Sequence, residues 1–220
     1  MPTLIKTKGI VLHEMPIKEQ DKRILLFSID YGKMVVFANG AKRSKSSLLA
    51  GTQPFVFGEF HLYEGKNSYT LKQVDITETF YSLREDLKSL YYGLYFLEVC
   101  GQVIQEMDPN KELLRLLYAT LTALKKKTQT PEVIRRVFEF RSLSTLGFEP
   151  DLSQDATGIS QEALAILGFM QRVKIGRLYH FRIEQQRFEE ITRVIDRYFN
   201  YYIGGNYKSL DFVGLLDDEG

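Results

Sequence analysis

Gly40-Ala41-Lys42-Arg43-Ser44-Lys45-Ser46-Ser47 places three cations in a stretch whose glycine and serines leave the backbone open to close approach. Ammonium and guanidinium groups neutralise phosphates and release their counterions, so such a loop suits sequence-independent, salt-sensitive binding of a nucleic acid. The plain alternative is a solvated loop that keeps the chain soluble. Lys18, Lys22, Arg23 and Lys33 extend the cationic set if the loops that carry them share one side of the fold. Aromatic rings supply a second term, because bases stack on them regardless of sequence. Of Tyr31, Phe37, Phe57 and Tyr69, the two tyrosines stand nearest to turns, and each of the four can equally fill a core. Further on, Arg135, Arg136 and Arg141 accompany Val137, Phe138 and Phe140. A basic rim on apolar residues fits an acidic, hydrophobic peptide; the competing reading is core packing, with the arginines paired to Glu132 and Glu139.

Charge is unevenly placed. The net charge is +1, yet the first fifty residues hold nine Lys/Arg against four acids, and the rest holds 20 against 24. A basic end on a near-neutral chain points to a polyanion. A single cysteine, Cys100, excludes a disulfide framework and any multi-cysteine metal site. The remaining candidate soft ligands, His13, His61 and His180, fall in separate predicted elements, so neither a metal nor another cofactor is expected. No stretch reaches the ~18 apolar residues of a membrane span. The chain reads as soluble, cytoplasmic and nucleoid-associated. Phosphate-loop, zinc-protease and nucleophile-elbow motifs are all missing, and Cys100 lies in an apolar helical stretch, so the chemistry reads as binding rather than catalysis.

These groups need a scaffold, and the periodicity supplies two. Five short β-type runs, 4–12, 23–29, 33–39, 55–63 and 69–77, are separated by turn residues. In the fourth, Phe55, Phe57, His61 and Tyr63 share one face and Val56, Phe60 and Leu62 the other, as in a closed barrel. An OB-type barrel fits, and a five-stranded SH3-like barrel gives much the same pattern. From Ser82 the period becomes helical: Leu83, Leu87, Leu90, Leu94, Leu97 and Ile104 make one stripe over roughly six turns. Asp108-Pro109-Asn110 stops it, and a second helix carries Leu113, Leu117, Leu121 and Leu124. Thr130-Pro131 starts a third, expected to run to Gly147. Helices over 161–173 and 186–202 follow, before an acidic, frayed end at 216–220. The fold class is therefore α+β, with a barrel over 1–80 and a helical domain over 81–220.

Several pieces, in order, resemble the bacterial RecO family of DNA-repair proteins. They are Lys8-Gly9-Ile10-Val11-Leu12, Glu19-x-Asp21, Phe27, Gly32-Lys33, the Gly40–Ser46 loop, Gln53-Pro54-Phe55, Leu71-Lys72-Gln73 and Leu83-Arg84-x-Asp86-Leu87. The run Phe138-Glu139-Phe140-Arg141-x-Leu143-x-x-Leu146-Gly147-Phe148-x-Pro150-x-Leu152 completes the match over residues 8–152. The resemblance implies a non-enzymatic recombination mediator. Such a protein binds single- and double-stranded DNA, anneals complementary strands, and helps place recombinase on strands coated by the single-stranded DNA-binding protein. Implied partners are RecR, the C-terminal tail of the single-stranded DNA-binding protein at the arginine-bearing third helix, and RecA indirectly. One departure matters: many relatives carry a zinc loop with paired C-x-x-C motifs after the segment ending at Leu152, and here, near 153–160, it is missing. Two other readings stay open, a protein-binding adaptor of repair factors and an RNA-binding barrel.

Overall fold

The structure, a computed structural model, describes residues 3–66, 68–155 and 158–218. Ala156 and Thr157 of the segment without the zinc loop, and Glu219 and Gly220 of the acidic end, lie outside the described residues. Five strands, β1 (Thr3–Pro16), β2 (Lys22–Ser28), β3 (Gly32–Ala38), β4 (Phe57–Glu64) and β5 (Tyr69–Glu78), close into a barrel in the order β1-β2-β3-β5-β4. β3 and β5 pair in parallel and β1 returns to β4, which makes the barrel OB-type and settles the choice left open by strand spacing.

Alternation places one set of side chains inside. Ile24, Leu26, Met34, Val36, Phe60, Leu62 and Leu71 fill the barrel, and Leu48 of the short α1 (Leu48–Gly51) joins them. Burying a large apolar side chain contributes about 1.5–3 kcal/mol, so this cluster holds the strands together. β1 runs four residues beyond its predicted end because a bulge at Leu12 shifts its register on β2. Val11 packs in the barrel core, and Leu12, at the bulge, is buried against Gly101 outside it. β4 begins two residues later than its apolar run, since Phe55 sits at φ +75° and turns the chain into the strand.

The helices are α2 (Leu87–Val103), α3 (Lys111–Lys126), α4 (Pro131–Thr145), α5 (Gln161–Arg172), α6 (Gln185–Tyr202) and α7 (Lys208–Asp218). α2 starts later than Ser82 because a 3₁₀ turn, Tyr81–Glu85, precedes it, and the Asp86 carboxylate accepts from the Ser89 N–H (3.2 Å) and hydroxyl (2.5 Å). Thr130 caps α4 with Pro131 in its first turn, and Gly147 at φ +85° follows its end. α7 is an additional helix, where only an acidic end was expected.

The chain divides into two compact units. One comprises residues 1–82 with 97–114, the other 83–96 with 115–220. In the first, the end of α2 and the following turn lie against the barrel: Gly101 faces Leu12 and Leu25, the Lys33 N–H donates to Gln105 O (2.9 Å), and the Met107 N–H donates to Tyr31 O (3.0 Å). Gly32, at φ +65°, is required there, because a Cβ would stand 2.5 Å from the carbonyl oxygens of Gln105 and Asp108. In the second, α4, α5 and α6 pack together around Ile134, Val137, Phe138, Leu167, Ile191 and Ile195. No helix among the described residues is long and apolar enough to cross a membrane.

Candidate nucleic-acid interface

Strand directions sort the candidate residues into two ends. β1, β3 and β5 run one way and β2 and β4 the other, so the 17–21 loop and the segment after Ala38 emerge at the same end of the barrel. Backbone and side-chain bonds tie these two loops together. The Gly40 N–H donates to Asp21 Oδ1 (2.8 Å), the Lys42 N–H donates to Gln20 O (3.0 Å), and Arg43 Nε donates to Gln20 Oε1. Within the second loop the Arg43 N–H bonds Gly40 O (3.1 Å) and the Ser46 N–H bonds Arg43 O (2.9 Å), so successive turns hold the segment compactly. Ser46 Oγ then accepts from the Leu48 N–H (3.2 Å) as the chain enters α1.

The result is a clamped pair of loops presenting Lys18, Lys42, Arg43 and Lys45, all exposed. None of the four is ion-paired to a carboxylate among the described residues. Arg23, also exposed, lies at the same end of β2, opposite Met15 and Phe37, and its guanidinium rests on Met15 Sδ (3.3 Å). Fixed loops hold their charges at low entropic cost, which favours capture of a phosphate chain.

The other candidates are placed elsewhere. Lys22 is buried and ion-paired to Glu14, so its charge is consumed within the β1–β2 pair. Lys33 and Tyr31 stand at the opposite end, roughly 20 Å away along β3 at the usual rise per residue. Tyr31 and Tyr69 are brought together there, both packed on the barrel core. Burial, then Glu64, Tyr31 and Glu106, raise the Tyr69 hydroxyl pKa.

In the helical unit the arginines are already engaged. Glu139, fully buried on α4, accepts from Arg135 Nε and Arg136 Nη1 at 2.7 Å each and from the Tyr95 hydroxyl at 2.6 Å. Arg136 also reaches Asp196 (2.5 Å), whereas Glu132 pairs with Lys88 (2.6 Å). Val137, Phe138 and Phe140 are in the core. Arg141 Nη1 donates to Met170 O (3.2 Å), and its buried Nε has no hydrogen-bond partner among the described residues.

Where the zinc loop is missing, side chains hold the chain instead. Ser160 caps α5, and its N–H donates to Glu190 Oε2 (2.7 Å), while Arg187 Nη1 donates to the other oxygen, Oε1 (2.5 Å). The Ser160 hydrogen bonds, with Arg187, hold the Glu190 carboxyl down to about 2. The Tyr198 hydroxyl donates to Asp151 O (3.0 Å), and Gln171 Nε2 donates to Pro150 O (3.1 Å).

Sequence reasoning gave no role to Gln20 and Asp21, which position the basic loop. A signal was present in the Glu19-x-Asp21 piece, since an acid just before a strand can cap a neighbouring backbone donor.

A closed OB-type barrel with a clamped basic loop, followed in the chain by a helical unit, is the architecture of an α+β protein suited to binding a nucleic acid. The family model described as Recombination protein O N terminal matches residues 1–80, and Recombination protein O C terminal matches 84–158 and 153–211. The chain is 34% identical to DNA repair protein RecO of Acetivibrio thermocellus over 244 residues, covering 97% of each chain. It is 41% identical over 150 residues to DNA repair protein RecO of Alkaliphilus metalliredigens, covering 68% of this chain and 61% of that one. With DNA repair protein RecO of Clostridium novyi it shares 28% over 243 residues, or 97% and 95% of the two chains. The chain belongs to the RecO family.

Proposed function

We propose that the chain binds single- and double-stranded DNA through the clamped loops at one end of its barrel, anneals complementary strands, and helps place a recombinase on strands coated by the single-stranded DNA-binding protein. The observation that carries this reading is the cross-loop bonding of Gln20 and Asp21 to Gly40, Lys42 and Arg43, which leaves Lys18, Lys42, Arg43 and Lys45 exposed together. Cations held this way screen the repulsion between two phosphate chains, which is what annealing requires. RecR, the C-terminal tail of the single-stranded DNA-binding protein and, indirectly, RecA are the partners this reading assigns. The tail would meet α4 through Arg141, since Arg135 and Arg136 are held by Glu139.

A strand-annealing assay with and without the single-stranded DNA-binding protein tests it. Acceleration of annealing on bare and coated strands, weakening as salt rises, is expected. No acceleration, together with no salt-sensitive oligonucleotide binding, refutes it. Matched DNA and RNA strands in competition distinguish an RNA-binding barrel.

A further inference from the structure

On the outer face of the barrel β4 and β5 pair with Glu59 opposite Asp75 and His61 opposite Gln73. Residues two apart on a strand share a face, so Glu59 and His61 project together, and Asp75 meets them from the next strand. Two carboxylates directly opposed across a strand pair are destabilising unless something positive stands between them. One ligand-capable atom from each of Glu59, His61 and Asp75 lies within 4.8 Å of the others. His61 Nε2 is hydrogen-bonded to Asp75 Oδ2 (2.9 Å) and lies 3.4 Å from Glu59 Oε1, so a bound cation would take the place of a ring proton.

Around tetrahedral zinc, with ligands at about 2.0–2.1 Å, neighbouring ligand atoms stand about 3.3 Å apart. The two His61 separations are each within about half an ångström of that edge. The His61 side chain is 11% exposed and so fixed by its surroundings, whereas Glu59 and Asp75 are 37% and 52% exposed and leave a solvent side for water ligands. Gln73 Nε2 donates to Asp75 Oδ1 (2.6 Å), turning the other oxygen toward His61, as outer partners of metal-binding carboxylates do. Lys6, 3.9 Å from Glu59, is a weak competitor for the carboxylate.

We infer that Glu59, His61 and Asp75 form a binding site for a zinc-class divalent cation, which bridges β4 and β5. One imidazole with two carboxylates suits Zn²⁺ or Co²⁺, and not Mg²⁺, which favours oxygen ligands alone. The site shares no residue with the clamped loops, so its loading can be measured without DNA.

The test is calorimetric titration of the chelator-treated full chain, without affinity tag, with Zn²⁺ alone, and in parallel with Co²⁺ followed by visible absorption. Saturable binding of one ion per chain is expected, with Mg²⁺ failing to compete. His61→Gln and Asp75→Asn should each weaken binding at least tenfold, and Gln73→Ala about tenfold, the effect expected of an outer-shell partner. Lys6→Ala should strengthen it, and His13→Gln and His180→Gln should leave it unchanged. Asp75 is exposed on an outer face, so Asp75→Asn decides the matter if His61→Gln fails to fold. No saturable Zn²⁺ binding, or affinity unchanged in Asp75→Asn, overturns the inference.

Discussion

Replacing Lys42, Arg43 and Lys45 together by alanine removes three of the four exposed cations on the clamped loops and leaves Lys18. Each phosphate contact on a single strand contributes about 0.7 to the slope of log affinity against log salt, so three lost contacts lower the slope by about 2. At about 0.1 M salt that is about a hundredfold loss of affinity, on the order of 3 kcal/mol. The variant gives up the Arg43 bond to Gln20, but the Gly40–Asp21 and Lys42–Gln20 bonds use backbone N–H groups and remain, and none of the three replaced side chains is in the barrel core, so folding should survive. Fluorescence anisotropy of a labelled oligonucleotide, measured from about 50 to about 200 mM salt, reads both quantities. Lys33→Ala, at the opposite end of β3, is the control and should leave the slope as it was. Equal slopes for the triple variant and the unaltered chain would refute the assignment of the loop to DNA, and an equal loss from Lys33→Ala would refute the division of the barrel into two ends.

Three further outcomes follow from the geometry. Asp21→Ala removes no cation but frees the Gly40 N–H, so DNA affinity should fall by about three- to tenfold as the loop loses its clamp, a cost on the order of 1 kcal/mol, read in the same anisotropy assay. Glu190 is held down to about 2, below its unfolded value of about 4.3, so its stabilisation is present above that unfolded value and lost as pH falls toward 2. Urea midpoints measured down the acid range should fall more steeply for the unaltered chain than for Glu190→Gln. Glu139→Leu leaves Arg135 and the Tyr95 hydroxyl without their buried carboxylate, while Arg136 keeps Asp196, and should cost about 3–5 kcal/mol, measured as a shift in urea midpoint.

How far the sequence carried the fold depends on the range over which each feature is determined. Period-two runs located all five strands, and Thr130-Pro131 fixed the start of α4, because those signals are local. The bulge at Leu12 and the left-handed Phe55 were invisible, since both arise where strands meet residues far away in the chain. Strand order was equally hidden: the parallel pairing of Val36 with Tyr69 separates an OB-type barrel from an SH3-like one, and no spacing encodes it. α7 escaped because its support is tertiary: the Tyr91 ring stacks on Phe212 at 5.0 Å, a contact from far away in the chain. At the interface, residue type identified Lys42, Arg43 and Lys45. Residue type alone did not separate Lys22, which turns inward to Glu14, from Arg23, which faces solvent, although the period-two pattern already put Lys22 on the side of Ile24 and Leu26.

Residues 97–114 belong with the barrel although they follow it in sequence. Gln105 and Asp108 crowd Gly32, and Gly101 lies over Leu12 and Leu25. During synthesis, therefore, the strands can pair before their last covering is available, and this unit is finished only after residue 114 has left the ribosome. A fragment ending at residue 82 would present Leu12 and Leu25 to water and leave the Lys33 N–H without its carbonyl, making it more prone to self-association than one ending at residue 114. Between those two lengths the growing chain carries an apolar face that its own later residues cover.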